Sequence, residues 1–300
     1  MQWGATSRLQ RFWDIRAACN FIGGGTGSSL LVWAALGLMA GLPYFPAALI
    51  GLSFVGAGLF MVWLEIGKPW RAFNVFFRPQ TSWMTREGMV ALPLIALGAI
   101  AVLFDARVQL SLTTPSPVVP ALLTAMLGLA FLYCQLRILH SARGLPAWRE
   151  PWAMPLIGLS GLTEGLGLYL LLATVLGFAS VVMTAILLAL LIARALAWRA
   201  YIAGLSRAGV PESTMAALTA MHSGFLVAGH VLPMILIVLA YIWPGMNTIC
   251  TTLAGIAAVL AGWWLKIILV TRAAYIPATV VPHPPVRGRP GPSNGAHRTT

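Results

Sequence analysis

Two carboxylates bracket a basic, aromatic stretch of the chain. Glu65 and Glu87 stand near the ends of WLEIGKPWRAFNVFFRPQTSWMTREG, residues 63–88, and each borders an apolar run. A carboxylate at the edge of hydrocarbon is costly unless it meets a cation or takes up a proton, so this pair is suited to proton exchange at a membrane boundary. Lys68, Arg71 and Arg86 are the cations expected to meet the two acids. Trp70, Phe73, Phe76 and Phe77 recur at helical spacing, so a short helix would turn an aromatic face to the bilayer interface and Arg71, Asn74 and Arg78 away from it. An interfacial belt with basic anchors has the same pattern. The two acids set this segment apart from one.

Spanning helices must position these residues. The chain has 300 residues, of which 59% are hydrophobic and only 9% charged, too little polar surface for a water-soluble globule of this size. A spanning helix needs about 20 mostly apolar residues. Such runs recur at 18–42, 45–66, 88–104, 117–140, 152–177, 179–203, 223–243 and 247–271, with the third the weakest and able to begin near Thr85. The fold class expected is therefore all-α and integral to the membrane, with eight transmembrane helices in two four-helix bundles. Residues 1–140 form the first bundle with the interfacial 65–87 loop, residues 141–275 the second, and residues 276–300, rich in Pro, Gly and Arg, a disordered tail.

Charge sets the orientation. All of the 19 Lys and Arg residues except Arg107 sort to one set of ends and loops, which by the positive-inside rule is cytoplasmic, and both termini lie on that side. The basic arm before the first run leads into an apolar stretch too long for a cleavable signal, so that helix should stay. The net charge of +12 suits anionic lipid headgroups and does not imply nucleic acid. Cys19, Cys134 and Cys250 lie in or beside different helices without CxxC spacing, so the chain builds no iron-sulfur or zinc site from them.

At the loop the chain resembles the NrfD/DmsC superfamily, the membrane-anchor subunits of iron-sulfur molybdoenzymes such as polysulfide and dimethyl sulfoxide reductases. The family pattern is an acid or His, then Leu-Gly-Lys/Arg-Pro with a following Arg, and downstream Trp/Ser-x-x-Arg-Glu. Here it reads Glu65-Ile66-Gly67-Lys68-Pro69-Trp70-Arg71 and Ser82-Trp83-Met84-Thr85-Arg86-Glu87. The opening WDIRAACNFIGGGTGSSLL, residues 13–31, also resembles that of the phenylacetyl-CoA:acceptor oxidoreductase anchor. The resemblance implies a quinone-reactive subunit of the bacterial cytoplasmic membrane, using ubiquinone or menaquinone and carrying no metal of its own. Its implied partners are a ferredoxin-like subunit with 4Fe-4S clusters and a catalytic subunit with a molybdenum or tungsten bis-pterin. The charge bias puts both on the cytoplasmic side, where many relatives have them outside. Some members carry His at the position of Glu65, which bears on whether protons follow the same route.

The residues make a physical case beside the family one. A quinone at a membrane interface needs hydrogen-bonding groups for its oxygens, a proton-passing group and a dry aromatic slot near an electron carrier. Glu65 is placed for the proton role. Asn20 and His140, at the same ends of the first and fourth helices, offer hydrogen bonds, and Trp13, Trp70, Trp83 and Tyr133 could wall the slot. Lys68, Arg71, Arg86 and Glu87 complete the expected cofactor-binding set. Each has a plainer role: Asn20 as a helix cap, His140 as a solvated side chain, the tryptophans as belt residues. The cluster Gly23, Gly24, Gly25 and Gly27 follows no strand and sits inside a spanning helix, so it points to close packing against a neighbouring helix or the ligand and not to a phosphate loop.

In the second half Glu164, His230 and Lys266 stand inside apolar runs, all in the cytoplasmic half and able to meet. Glu164 is a candidate proton relay; the alternative is a structural ion pair with Lys266 snorkelling to the surface. Two other function classes fit the composition. One is a secondary transporter with a midplane site opened by Pro93, Pro120, Pro155 and Pro233. The other is a haem b anchor, for which His222 and His230 are about 12 Å apart along one helix, too far to clasp one iron, leaving His140 with His222.

Overall fold

In the computed structural model, residues 6–277 are described except 67, 113, 114 and 179. Among the described residues, eight helices are long and apolar enough to cross a membrane. They are α1 (Ile15–Met39), α2 (Phe45–Glu65), α3 (Trp83–Gln109), α4 (Val118–His140), α5 (Ala153–Val175), α6 (Val181–Ala208), α7 (Glu212–Ile242) and α8 (Pro244–Thr271). The expected tail falls almost wholly outside the described residues.

Two boundaries differ from the sequence expectation. The third helix is not short: Ser82 caps it by accepting from the Thr85 backbone N–H, and it runs on through Asp105 to Gln109. The seventh begins at Glu212, well before residue 223, because the polar first turns of ESTMAALTAMHS are still helical. At the other end of α6, Gly209 adopts φ 63°, the left-handed conformation that glycine accepts without a Cβ clash, and so stops the helix.

Small residues determine how the helices assemble. In lipid no hydrophobic gain drives helices together, so close backbone contact has to supply the attraction. An added Cβ at Gly27 would lie 2.5 Å from the Gly51 carbonyl oxygen, and one at Gly165 would lie 2.6 Å from the Leu30 backbone nitrogen. Thus α1 is clamped between α2 and α5, and it also meets α4 and α8. The glycine cluster is a packing surface, as its position in a spanning helix suggested. Two apolar clusters result, one around Phe21, Trp148, Trp198 and Leu269, the other around Leu30, Tyr44, Leu94 and Ile237. Each draws on both halves of the sequence.

Asp105, one residue past the end of the expected 88–104 run, is buried in the last part of α3. Its Oδ2 accepts from the backbone N–H groups of Tyr44 at 2.9 Å and Phe45 at 2.7 Å, which caps the start of α2 from a neighbouring helix. Asp105→Ala strands both donors, so we expect a loss of about 1–3 kcal/mol. A lower thermal midpoint of the purified protein checks it.

The two ends of the described segment meet. Arg8–Leu9 (β1) pairs antiparallel with Tyr275–Ile276 (β2), and Gln10 donates through Nε2 to the carbonyls of Trp13 and Val270. Between α2 and α3, Pro69–Phe77 forms a 3-10 helix. Its Trp70 (83% exposed) and Phe77 (74% exposed) point outward, whereas Phe76 packs toward Gly88 of α3.

Candidate functional site

Asp14 starts α1: its side chain accepts from the Arg16 backbone N–H and pairs with the Arg16 guanidinium at 2.8 Å. That hydrogen bond holds the Asp14 carboxyl below its usual range. Arg16 also donates to the Leu64 carbonyl, tying the start of α1 to the end of α2. Asn20 is therefore not a cap. It lies more than a turn inside α1, buried, with its own carbonyl accepting from Gln135 Nε2 at 3.1 Å. Gly24 makes this possible, since any Cβ there would collide with the Gln135 amide.

A cavity of about 130 Å³ opens at this end of α1, α2 and α3, walled by Trp13, Phe21 and Met84 and bearing Asn20, Glu65 and Glu87. Trp13 is fixed by stacking against Trp148 and Phe21, with centroids 4.8 and 5.8 Å away. Glu87 is only 4% exposed, whereas Glu65 is half-buried at the rim. Neither acid forms an ion pair among the described residues, where the pairs are Asp14–Arg16 and Glu164–Lys266. The expected cations go elsewhere. Arg86 donates to the Pro79 and Gln80 carbonyls and lies 4.1 Å over the Trp83 ring, and Lys68 is exposed. The side chain of Arg71 lies outside the described residues.

Two buried oxygens of cavity residues, Asn20 Oδ1 and Glu87 Oε1, have no hydrogen-bond partner among the described residues. Folded proteins rarely leave such groups unsatisfied, and the polar neighbours of the Glu87 carboxyl are the side chains of Gln135 and Asn20. Those two oxygens suit the hydroxyls of a reduced quinone, from which both can accept. An amide and a carboxyl can each donate to a carbonyl oxygen, or accept from the hydroxyl of the reduced form, across an aromatic wall.

Not every expected contact lines this space. Trp83 and Tyr133 pack edge to face at 5.7 Å beside Arg86 and Arg137, off the cavity. His140 ends α4 with a buried Nδ1 that has no partner among the described residues, also away from the cavity. Trp70 is on the outer face.

A second, apolar groove of about 370 Å³ adjoins the first and shares Val62, Ile66, Met84 and Glu87 with it. It runs between α2 and α3 under the 3-10 helix.

Deeper in the protein, Glu164 and Lys266 do meet. Lys266 Nζ lies 2.7 Å from Glu164 Oε2, which also accepts from Thr26 Oγ1 at 2.6 Å, while Trp263 donates to Thr26. Lys266 is 1% exposed, so it points inward and does not snorkel. His230 joins a different cation, Arg194, which sequence reasoning had placed among the loop charges. Arg194 is fully buried near the middle of α6 and donates to His230 Nε2, the Ala258 carbonyl and the Gly229 carbonyl.

The signal for this site was Pro233. Lacking an N–H, it leaves the carbonyl of Gly229, four residues earlier, without its helical donor, and α7 widens to a π-turn over Val227–Val231. Arg194 fills that vacancy. Because His230 Nε2 accepts from Arg194, its Nδ1 carries the proton and donates to the Phe225 carbonyl. Both ring nitrogens are thereby committed. His222 Nδ1 accepts from Trp198 Nε1. Among the described residues no three His, Cys, Asp or Glu side chains cluster to hold a metal.

Compared with known families, residues 44–282 match the one described as DMSO reductase anchor subunit (DmsC). The chain belongs to that family. It is a multi-pass membrane anchor in an oxidoreductase complex. The match takes in α2 through α8 and the motif at Glu65 and Glu87; α1, with Asn20, precedes it. None of the curated proteins compared with this DmsC-family chain matches it, and the narrower likeness of residues 13–31 stands on its motif alone.

Proposed function

We propose that this subunit is the quinone-reactive anchor of a molybdo- or tungsto-oxidoreductase, passing electrons between a docked 4Fe-4S subunit and membrane quinone. The observation that carries the reading is one aromatic cavity lined by Asn20, Glu65 and Glu87, where two buried oxygens, Asn20 Oδ1 and Glu87 Oε1, have no hydrogen-bond partner among the described residues. Family membership supplies the context of a complex with catalytic and iron-sulfur subunits.

A bound quinone supplies two-electron, two-proton chemistry at its ring oxygens. Asn20 orients the ring through its amide, held in register by the Gln135 bond to its backbone. Trp13 and Phe21 exclude water and keep the local dielectric low, so that each hydrogen bond is stronger. Glu87 gives or takes the proton at Oε1, and Glu65, half-buried at the rim, exchanges it with water. Glu164 stands as a second relay candidate in the interior.

The basic arm with Arg8 and Arg11 and the exposed Phe12 lie at the same end as this cavity, and with the 65–87 loop they form the docking face for the iron-sulfur subunit. The charge bias makes that face cytoplasmic. The 1–140 half thus carries quinone and partner contacts, with membrane lipids around both halves.

Glu65→Ala, or reversing the charges of Lys68 and Arg71, should abolish quinone-linked activity of the complex while artificial-dye activity of its soluble part survives. Parallel loss of both would mean failed assembly, and full quinone activity would overturn the role of this loop.

A further inference from the structure

We infer that the apolar groove between α2 and α3 takes the isoprenoid tail of the quinone, so that the ring reaches Asn20 and Glu87 from the lipid side beneath the 3-10 helix. This rests on the reading of the first cavity as the ring site. The continuity of the two spaces selects the occupant: Val62, Ile66, Met84 and Glu87 border both, so a molecule with its polar end at Glu87 and an apolar chain must lay that chain in the groove. The groove's other walls are Phe60, Trp63 and Leu92, all turned outward to lipid. Its roof is Val75 and Phe76 of the 3-10 helix, which rest on α3 at Gly88. A Cβ at Gly88 would lie 3.2 Å from Val75 Cγ1 and 3.3 Å from Phe76 Cε1.

The energetics define what the groove does. A polyprenyl chain leaving lipid for an apolar wall gains little, because acyl chains are as apolar as leucine. The groove therefore acts on access: it lets the chain trail into the bilayer while the ring is held at the interface. Filling it should penalise long-tailed quinones and spare short ones.

The test uses the whole membrane complex with two acceptors, a quinone bearing a single isoprene unit and one bearing several, the latter in lipid vesicles. Gly88→Val inserts a side chain beneath Val75 and Phe76, and Leu92→Trp narrows the lipid-facing wall at an exposed position where folding is not at stake. Each variant should raise the KM for the long-tailed quinone by about tenfold, the scale of one lost steric fit, with kcat kept. The KM for the short-tailed quinone should stay within about twofold of the wild type. Equal effects on both acceptors, or none on either in both variants, would overturn the proposal and leave the groove to ordinary lipid. Failure of the wild-type complex to react with either acceptor would instead remove the ring site itself.

Discussion

Glu87→Gln should lower quinone-linked turnover of the assembled complex by about two orders of magnitude, the contribution of one well-placed proton donor or acceptor. Dye-linked activity of the soluble subunits should be unchanged. The substitution keeps the shape and hydrogen-bonding capacity of the side chain and removes only the exchangeable proton of the carboxyl. It also relieves a buried acid that forms no ion pair among the described residues, so the variant should be at least as stable as the parent. That combination, stable and inactive toward quinone alone, separates a chemical role from a packing one. Turnover within about twofold of the parent would show that Glu87 merely fills space, and the ring site would have to be sought elsewhere.

The other large effect lies in the interior. Lys266→Met leaves the Glu164 carboxyl fully buried with Thr26 as its remaining hydrogen-bond partner among the described residues, and removing one member of such a pair costs about 3–5 kcal/mol. The Glu164→Gln/Lys266→Met double variant removes both charges and should recover most of that loss, because a buried pair contributes little net stability once both desolvation terms are gone. Thermal unfolding of the purified complex measures both. The double variant then tests the relay: slowed quinone turnover in a stable protein assigns protons to Glu164, whereas unchanged turnover leaves the pair a packing device.

What the sequence disclosed followed from its strongest periodicities and its costliest residues. Eight apolar runs were visible because lipid demands them. The pairing of Glu164 with Lys266 was legible because two opposite charges at similar depth have few other places to go. Glu65, Glu87, Asn20 and Trp13 were each suspect by type, and α1, α2 and α3 bring them to one cavity. Trp83, Tyr133 and His140 were equally suspect by type. They face elsewhere, and that depends on helix rotation, which composition does not encode. Arg194 was hidden by its distance to the end of a long helix: nearness to Arg199 and Arg207 made it read as one more basic flank. Asp105 was hidden likewise, since a carboxylate near a helix end reads as turn chemistry until the neighbouring helix start appears beneath it.

The strand formed by Arg8 and Leu9 has a consequence for biogenesis. Its mate, Tyr275–Ile276, follows α8, so the amino-terminal arm acquires its folded form only after the eight described spans have been made. A companion subunit that grips this arm would therefore engage finished molecules and pass over incomplete ones still leaving the ribosome.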